Sequence, residues 1–328
     1  MNSDQSVPYG VVAIGRNEGD RLKKCLASAA QSALTIYVDS GSADDSVAWA
    51  KQFGADVVLL DPSQPFTAAR ARNAGFRRLR ELAPGLDYVQ FVDGDCELVT
   101  TWPRHAIAFL RDHGDVATVF GRLRERFPEK SIYNRLCDDE WNVPVGESSA
   151  CGGIAMMRTA ALEKAGGFRD DLIAGEEPEL CVRLRQAGWR IWRLDLEMGF
   201  HDADMLRFGQ WWRRNVRSGY AFAQGAHLHG ALPERYYVWE SRRALVWGLG
   251  LPIMCVVACA LFGWWSLIAL LIYPLQILRR MTSATGDLRW RAQRACFELL
   301  SRFPEALGQL RFARDRLLRR QGHLIEYK

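Results

Sequence analysis

Apolar runs of five or six residues alternate along the first half of the chain with segments whose apolar positions recur every three or four residues. Residues 9–14, 34–38, 56–60 and 88–92 are compact apolar runs bounded by polar or glycine-containing turns, the pattern of buried strands. Residues 21–31, 46–53 and 67–82 carry helical spacing, with Leu22, Cys25, Leu26 and Ala29 on one face of the first. Strands alternating with helices predict βαβ units and a mainly parallel sheet flanked by helices, an α/β fold. Further on, 102–112 and 210–220 read as helices, 116–123 and 189–194 as strands. Residues 151–158 form a stretch of little polarity that begins Cys-Gly-Gly. Residues 124–147 show no period and read as irregular. Glu176-Glu177-Pro178-Glu179 opens a helix to about residue 187, because proline suits a first turn and acids there complement the helix dipole.

The pattern changes at residue 244. Residues 244–278 contain no charged side chain, and about 20 apolar residues suffice to cross a bilayer. Gly263-Trp264-Trp265 interrupts this stretch, Pro252 and Pro274 lie inside it, and arginine pairs flank it, Arg242-Arg243 before and Arg279-Arg280 after. Cationic flanks favour the cytoplasmic side. A hairpin of two short, tilted helices or a re-entrant pair satisfies both flanks, against a buried helical pair in a soluble core. Beyond it Trp290, Phe297, Leu300, Phe303, Leu307, Leu310 and Leu317 interleave with arginines, an interfacial amphipathic pattern that competes with a solvated helix packed on the protein.

Composition adds constraints. At 328 residues with 48% hydrophobic content, the chain has room for one large domain plus an appendage. The net charge of +5 is concentrated after Arg279, which points to an anionic surface. The adjoining apolar stretch favours lipid over nucleic acid. The eight cysteines show no CxxC pair and read as reduced thiols. Residues 1–8 lack the apolar core of a secretory signal, so the first domain is expected on the cytoplasmic face of the cell inner membrane. The expected partition is a catalytic domain at 1–220, a linker at 221–243, a membrane hairpin at 244–280 and basic amphipathic helices at 281–328.

Candidate chemistry collects at strand ends. The polar loops after the first, second and fourth strands fall on one sheet edge, where open α/β sheets bind ligands. The fourth strand ends in Asp93-Gly94-Asp95. Two carboxylates there suit a hard divalent cation shared with phosphates, or simply a turn, since Asp-Gly is common turn chemistry. Glu176 and Glu177 form a second acidic centre, or serve only their helix N-terminus. His201-Asp202 follows a strand. His201 is a candidate third metal ligand or a packed histidine.

Five stretches in order carry a resemblance: residues 13–18 (Ala-Ile-Gly-Arg-Asn-Glu), 38–46 (Val-Asp-Ser-Gly-Ser-Ala-Asp-Asp-Ser), 71–75 (Ala-Arg-Asn-Ala-Gly), Asp93-Gly94-Asp95, and Gly175-Glu176-Glu177. Over roughly residues 7–220 the chain resembles the family 2 glycosyltransferases, inverting enzymes of the GT-A nucleotide-diphospho-sugar fold. The resemblance implies that Asp39 meets the imino edge of the nucleotide base, that Glu18 and Ser42 line the same pocket, and that Arg72 sits beside the nucleotide. Asp95 is then the direct ligand of Mg²⁺ or Mn²⁺, with Asp93 nearer the ribose and metal. The late His201 matches a ligand that GT-A enzymes often bring to the ion. In the family an acid at the Glu-Glu position is the catalytic base. Glu177 is the first choice and Glu176 the second, although the family's usual second residue is Asp. Gln210-Trp211-Trp212-Arg213-Arg214 resembles QxxRW of processive members only imperfectly, and Arg213 or Arg214 can neutralise the leaving diphosphate. The expected activity is transfer from a nucleotide-diphosphate sugar, UDP-linked by expectation, to a hydroxyl of a lipid-linked or other saccharide acceptor in surface polysaccharide synthesis. A polyprenyl-phosphate sugar synthase and a non-catalytic sugar-nucleotide-binding scaffold are the alternatives.

Overall fold

The computed structural model describes residues 7–283 and 285–319. The chain divides into two compact units, Met1–Leu206 and Arg207–Lys328. The division falls before the expected boundary at 220, because residues 208–220 belong to one long helix of the second unit.

In the first unit β1 (Gly10–Gly15), α1 (Asp20–Ser28), β2 (Leu34–Asp39), α2 (Ser46–Phe53), β3 (Asp56–Leu59), α3 (Ala68–Leu82) and β4 (Tyr88–Asp93) follow one another. The strands pair in parallel in the order β3-β2-β1-β4. Val11, Val12, Ala13, Ile36, Tyr37, Val38, Val89, Phe91 and Val92 are buried on these strands. Burial on both faces is why they read as continuous apolar runs rather than alternating ones. Helix α3 lies close on the sheet through Gly75, where a Cβ would come 2.8 Å from Val38 Cγ2. Thr67 caps it, accepting from the Arg70 amide.

The sheet continues through β5 (Cys96–Leu98), α4 (Trp102–Asp112), β6 (Val116–Glu125), α5 (Ile132–Glu140), β7 (Gly146–Ser148), β8 (Ala155–Arg158), α6 (Thr159–Lys164), α7 (Glu176–Gln186) and β9 (Arg190–His201). Here it is mixed: β8 runs antiparallel to β4 and β6, β6 and β9 are parallel, and β5 and β7 pair antiparallel with β9. Two elements differ from the expectation. Residues 124–147 contain α5 and β7, whose few apolar positions hide the period. Strand β9 extends past 194 through Asp195 and Glu197. The Glu197 carboxylate takes three hydrogen bonds from Arg124 on β6 at 2.7–2.9 Å, so its charge is met on the exposed face.

In the second unit α8 (Phe208–His229) packs along α13 (Arg302–Leu317). The crossing is at Gly219 and Gly308, where a Cβ on Gly308 would collide with the α8 backbone near Val216 and Tyr220. Helix α9 (Val238–Leu245), one π-turn (Val246–Gly250) and α10 (Leu251–Phe262) make the continuous helix Val238–Phe262, the one described helix long and apolar enough to cross a membrane. Gly263, at φ 85°, ends it. A 3₁₀ segment (Trp264–Leu271) and α11 (Ile272–Ser283) lead the chain back, and the Tyr273 hydroxyl donates to the Trp247 carbonyl at 2.7 Å. Ile253, Val256, Val257, Leu261, Phe262, Trp264, Trp265 and Ile268 are exposed. Helix α12 (Leu288–Leu300) joins α11 through Arg280–Glu298, 2.6 Å. The expected basic segment at 281–328 lies outside the described residues from 320 on.

Candidate active site

The parallel register lines up three strand ends. Gly15 pairs with Asp39 and Ile14 with Asp93, so the loops after β1, β2 and β4 emerge side by side. The Gly94 amide donates to the Ile14 carbonyl at 2.7 Å, turning the chain directly after Asp93. The first two loops are bonded to each other: the Asn17 amide donates to Ser42 Oγ (2.9 Å), the Ala43 amide to Asn17 Oδ1 (2.7 Å) and the Gly19 amide to Asp44 Oδ2 (3.1 Å). Buried Asp39 accepts from the Tyr37 hydroxyl (3.1 Å) and from the amides of Gly41 (2.9 Å) and Ser42 (2.8 Å). Those bonds fix the carboxylate at the strand end. Glu18 forms an ion pair with Arg21 at 2.9 Å.

Arg72 is the hub. It projects one helical turn before Gly75, toward the ends of β1 and β4, and its side chain is 3% exposed. Its Nη2 donates to Asp93 Oδ1 at 2.8 Å, while Nη1 lies 2.8 Å from Glu176 Oε1 and 2.7 Å from Glu177 Oε1. One guanidinium thus holds the first acid of Asp93-Gly94-Asp95 together with both acids at the start of α7. The neighbouring Asn73 fixes the loop that precedes α7: Nδ2 donates to the Phe168 carbonyl and Asp170 Oδ1, each at 2.7 Å, and Oδ1 accepts from the Phe168 amide at 2.9 Å. Glu176 is enclosed, whereas Glu177 keeps an accessible edge. Burial pushes the Glu177 carboxyl up to about 7. Arg72 opposes that rise, and Glu176 and Asp93 add to it.

Asp95 faces another way. Strand β5 pairs with β9 so that Cys96 lies opposite His201, and the Asp202 amide donates to the Asp95 carbonyl at 3.0 Å. His201 Nε2 lies 3.4 Å from Asp95 Oδ2, and Nδ1 lies 3.1 Å from Glu125 Oε2. Asp95, Cys96 and His201 each place one ligand atom within 4.8 Å of the others. Burial holds the Cys96 thiol well above its usual range and it donates to Asp95 Oδ1 at 3.3 Å, so the Asp95 carboxylate and the His201 imidazole are the donors that fit a divalent cation.

Residues 11–166 match the family model "Glycosyl transferase family 2". The first unit carries a family 2 glycosyltransferase domain. Its fold is that of two solved structures. A mannosyltransferase from Pyrobaculum calidifontis, in complex with GDP-mannose and Mn²⁺, is 17% identical over 92% of this chain and 86% of that one, with a TM-score of 0.63. S. aureus TarS, residues 1–349, is 14% identical over 93% and 92%, with a TM-score of 0.51.

In the glycosyltransferase, Glu18, Asp39 and Ser42 come together in the loops after β1 and β2, and Arg72, Asp93, Glu176 and Glu177 form one cluster. Arg72 is spent on carboxylates rather than standing open at the strand ends. Arg213 and Arg214 lie on α8 of the second unit. Two residues at the site were not singled out from the sequence. A Cβ at Gly153 would lie 2.9 Å from Glu177 Oε1 and 3.0 Å from Asp93 Oδ2, and closer still to Arg72 Nη2. Glu125 is a strand-end acid like Asp93, and that shared position is the signal that could have found it.

Proposed function

We propose that the chain transfers a sugar, with inversion, from a nucleoside-diphosphate sugar to a hydroxyl of a lipid-linked saccharide at a membrane surface, as in surface polysaccharide synthesis, with a divalent cation (Mg²⁺ or Mn²⁺) on the donor diphosphate. The observation that carries this reading is the single guanidinium joining Asp93 to Glu176 and Glu177. It brings an acid of the donor-side motif and the candidate base into one cluster.

Asp95 and His201 would hold the cation, whose chemistry when bound is to take negative charge from the departing diphosphate. Asp39 and the bonded loops around Ser42 and Glu18 receive the nucleoside, the carboxylate accepting from a base N–H. Glu177 is the general base. Its accessible edge lets it reach an acceptor hydroxyl, and a carboxyl raised to about 7 is matched to removing a proton near neutrality. Arg72 holds that carboxylate in place and in part ionised. Glu176, enclosed on the same guanidinium, supports it.

The membrane half of the proposal is supported by the exposed apolar surface of residues 245–278. From Ala244 to Gly263 the outward leg rises about 28 Å at ~1.5 Å per residue, close to the ~30 Å hydrocarbon thickness. A stacked Trp264–Trp265 pair, 4.1 Å between centroids, follows Gly263. Indole rings favour a membrane interface. The side facing this hairpin's arginine flanks is taken as the cytoplasmic side of an inner membrane.

The decisive experiment is Glu177→Gln, assayed with a panel of UDP- and GDP-sugars against hydroxyl acceptors and polyprenyl phosphate. A base acting on a hydroxyl predicts a fall in kcat of about 10²–10⁴-fold with donor binding retained. Substantial transfer to a lipid phosphate, which is already ionised, would instead make the chain a polyprenyl-phosphate sugar synthase. Binding of nucleotide sugar without any turnover would leave a scaffold.

A further inference from the structure

We infer that Glu125 is a positioning residue that sets the tautomer of His201, so that Nε2 offers its lone pair to a divalent cation shared with Asp95. The inference rests on the metal site proposed above. Glu125 ends β6, and the parallel register with β9 puts it directly beside His201. Its side chain is wholly enclosed. Oε1 accepts from the Phe127 amide and from Asn134 Nδ2, both at 3.3 Å. Oε2 lies 3.1 Å from the Ala203 amide and 3.1 Å from His201 Nδ1.

An ionised carboxylate only accepts. The Nδ1 hydrogen is therefore the one directed at Glu125, and Nε2 is the ring nitrogen left to face a cation. Nε2 lies 3.4 Å from Asp95 Oδ2. In the tautomer inferred here these two atoms face each other as acceptors, and a shared cation reconciles them. The Trp141 ring, edge-on to His201 with centroids 4.6 Å apart, helps to hold the imidazole in this orientation. Carboxylate–imidazole–cation arrays of this kind fix ring orientation and raise ligand basicity. Asn134 and the Ala203 amide keep Glu125 from turning toward the ion itself.

Glu125→Gln keeps the shape and reverses the message. The Phe127 amide, Asn134 Nδ2 and, at 3.4 Å, the Ala203 amide retain the amide oxygen at the Oε1 position, and the amide nitrogen then donates to Nδ1 and drives the proton to Nε2. The test titrates Mn²⁺ into the full-length protein in detergent, with and without UDP, and reads free Mn²⁺ by electron paramagnetic resonance. A second measurement takes ¹⁵N spectra of histidine-labelled protein, the His201 signals identified by their loss in His201→Ala. The expected results are a drop in Mn²⁺ affinity of about 10–100-fold for Glu125→Gln, no further drop when it is added to His201→Ala, and a His201 in the wild type protonated on Nδ1. A wild-type His201 protonated on Nε2 overturns the inference without requiring any Glu125 variant to fold. So does wild-type Mn²⁺ affinity in Glu125→Gln alongside its loss in His201→Ala, or an equal loss in both backgrounds. Failure of the wild type to bind Mn²⁺ overturns the metal reading itself, and this inference with it.

Discussion

Gly153→Ala tests the carboxylate–arginine cluster without removing any of its members. Gly153 has no positive φ among the described backbone torsions, so alanine is conformationally acceptable there. The added methyl, however, would sit 2.9 Å from Glu177 Oε1 and 3.0 Å from Asp93 Oδ2, with Arg72 Nη2 nearer. Ordinary contact for a methyl carbon begins at about 3.5 Å, so each carboxylate must retreat by roughly half an ångström and the guanidinium by more. Arg72 cannot yield alone, because its two Nη atoms are tied to Asp93, Glu176 and Glu177 at 2.7–2.8 Å. The strain therefore moves Asp93 and the proposed base Glu177 together. Misplacement approaching 1 Å costs about 10²-fold in rate. We expect kcat for sugar transfer to fall by roughly 10–100-fold, with the thermal midpoint lowered by only a few degrees, since a perturbation of about 1 kcal/mol shifts it little in a protein of this size. The assay pairs initial-rate transfer with a melting curve. Wild-type kcat in a variant that melts normally would refute the claim that this cluster is the working geometry.

Two further outcomes follow from the same site and from the hairpin. Because burial raises the Glu177 carboxyl to about 7, kcat with a hydroxyl acceptor should fall tenfold per pH unit below that value as the base takes up a proton, and level off above it. A rate–pH profile checks this, and a limb that persists unchanged in residual Glu177→Gln activity assigns it elsewhere. Val257→Arg places a charge on the exposed face of α10, at a cost of about 2.5–3.5 kcal/mol if that face lies in lipid. Flotation with vesicles should show the variant shifted to the soluble fraction, and unchanged flotation counts against membrane insertion.

The parallel half of the sheet was legible because its strands are buried on both faces and end in polar loops. Gly10–Gly15, Leu34–Asp39 and Tyr88–Asp93 all fall within a residue of the apolar runs that announce them. Strand β9 was cut short because a charge inside a strand reads as its end unless its cross-strand partner is known, here Arg124 for Glu197. At the site, the identity of the acids was visible but their company was not. Arg72 read as an anion-binding arginine, and an arginine facing diphosphate cannot be told in one dimension from one facing three carboxylates. Gly153 and Glu125 are far in sequence from what they touch. Glu125 is hidden in one dimension because the apolar run that predicts its strand stops at Leu123, two residues before the strand ends.

The shared arginine also bears on the order of events at the site. Asp93, Asp95, Glu125, Glu176 and Glu177 crowd this end of the sheet, with Arg72 a buried cation bound to three of them. A diphosphate approaching alone meets like charge in a setting of weakened screening. If the cation proposed at Asp95 and His201 is used, it is expected to enter ahead of the nucleotide or travel in with it. Initial-rate kinetics of this glycosyltransferase should accordingly treat the metal–nucleotide pair as the substrate, with free nucleotide sugar a poor competitor for the empty site.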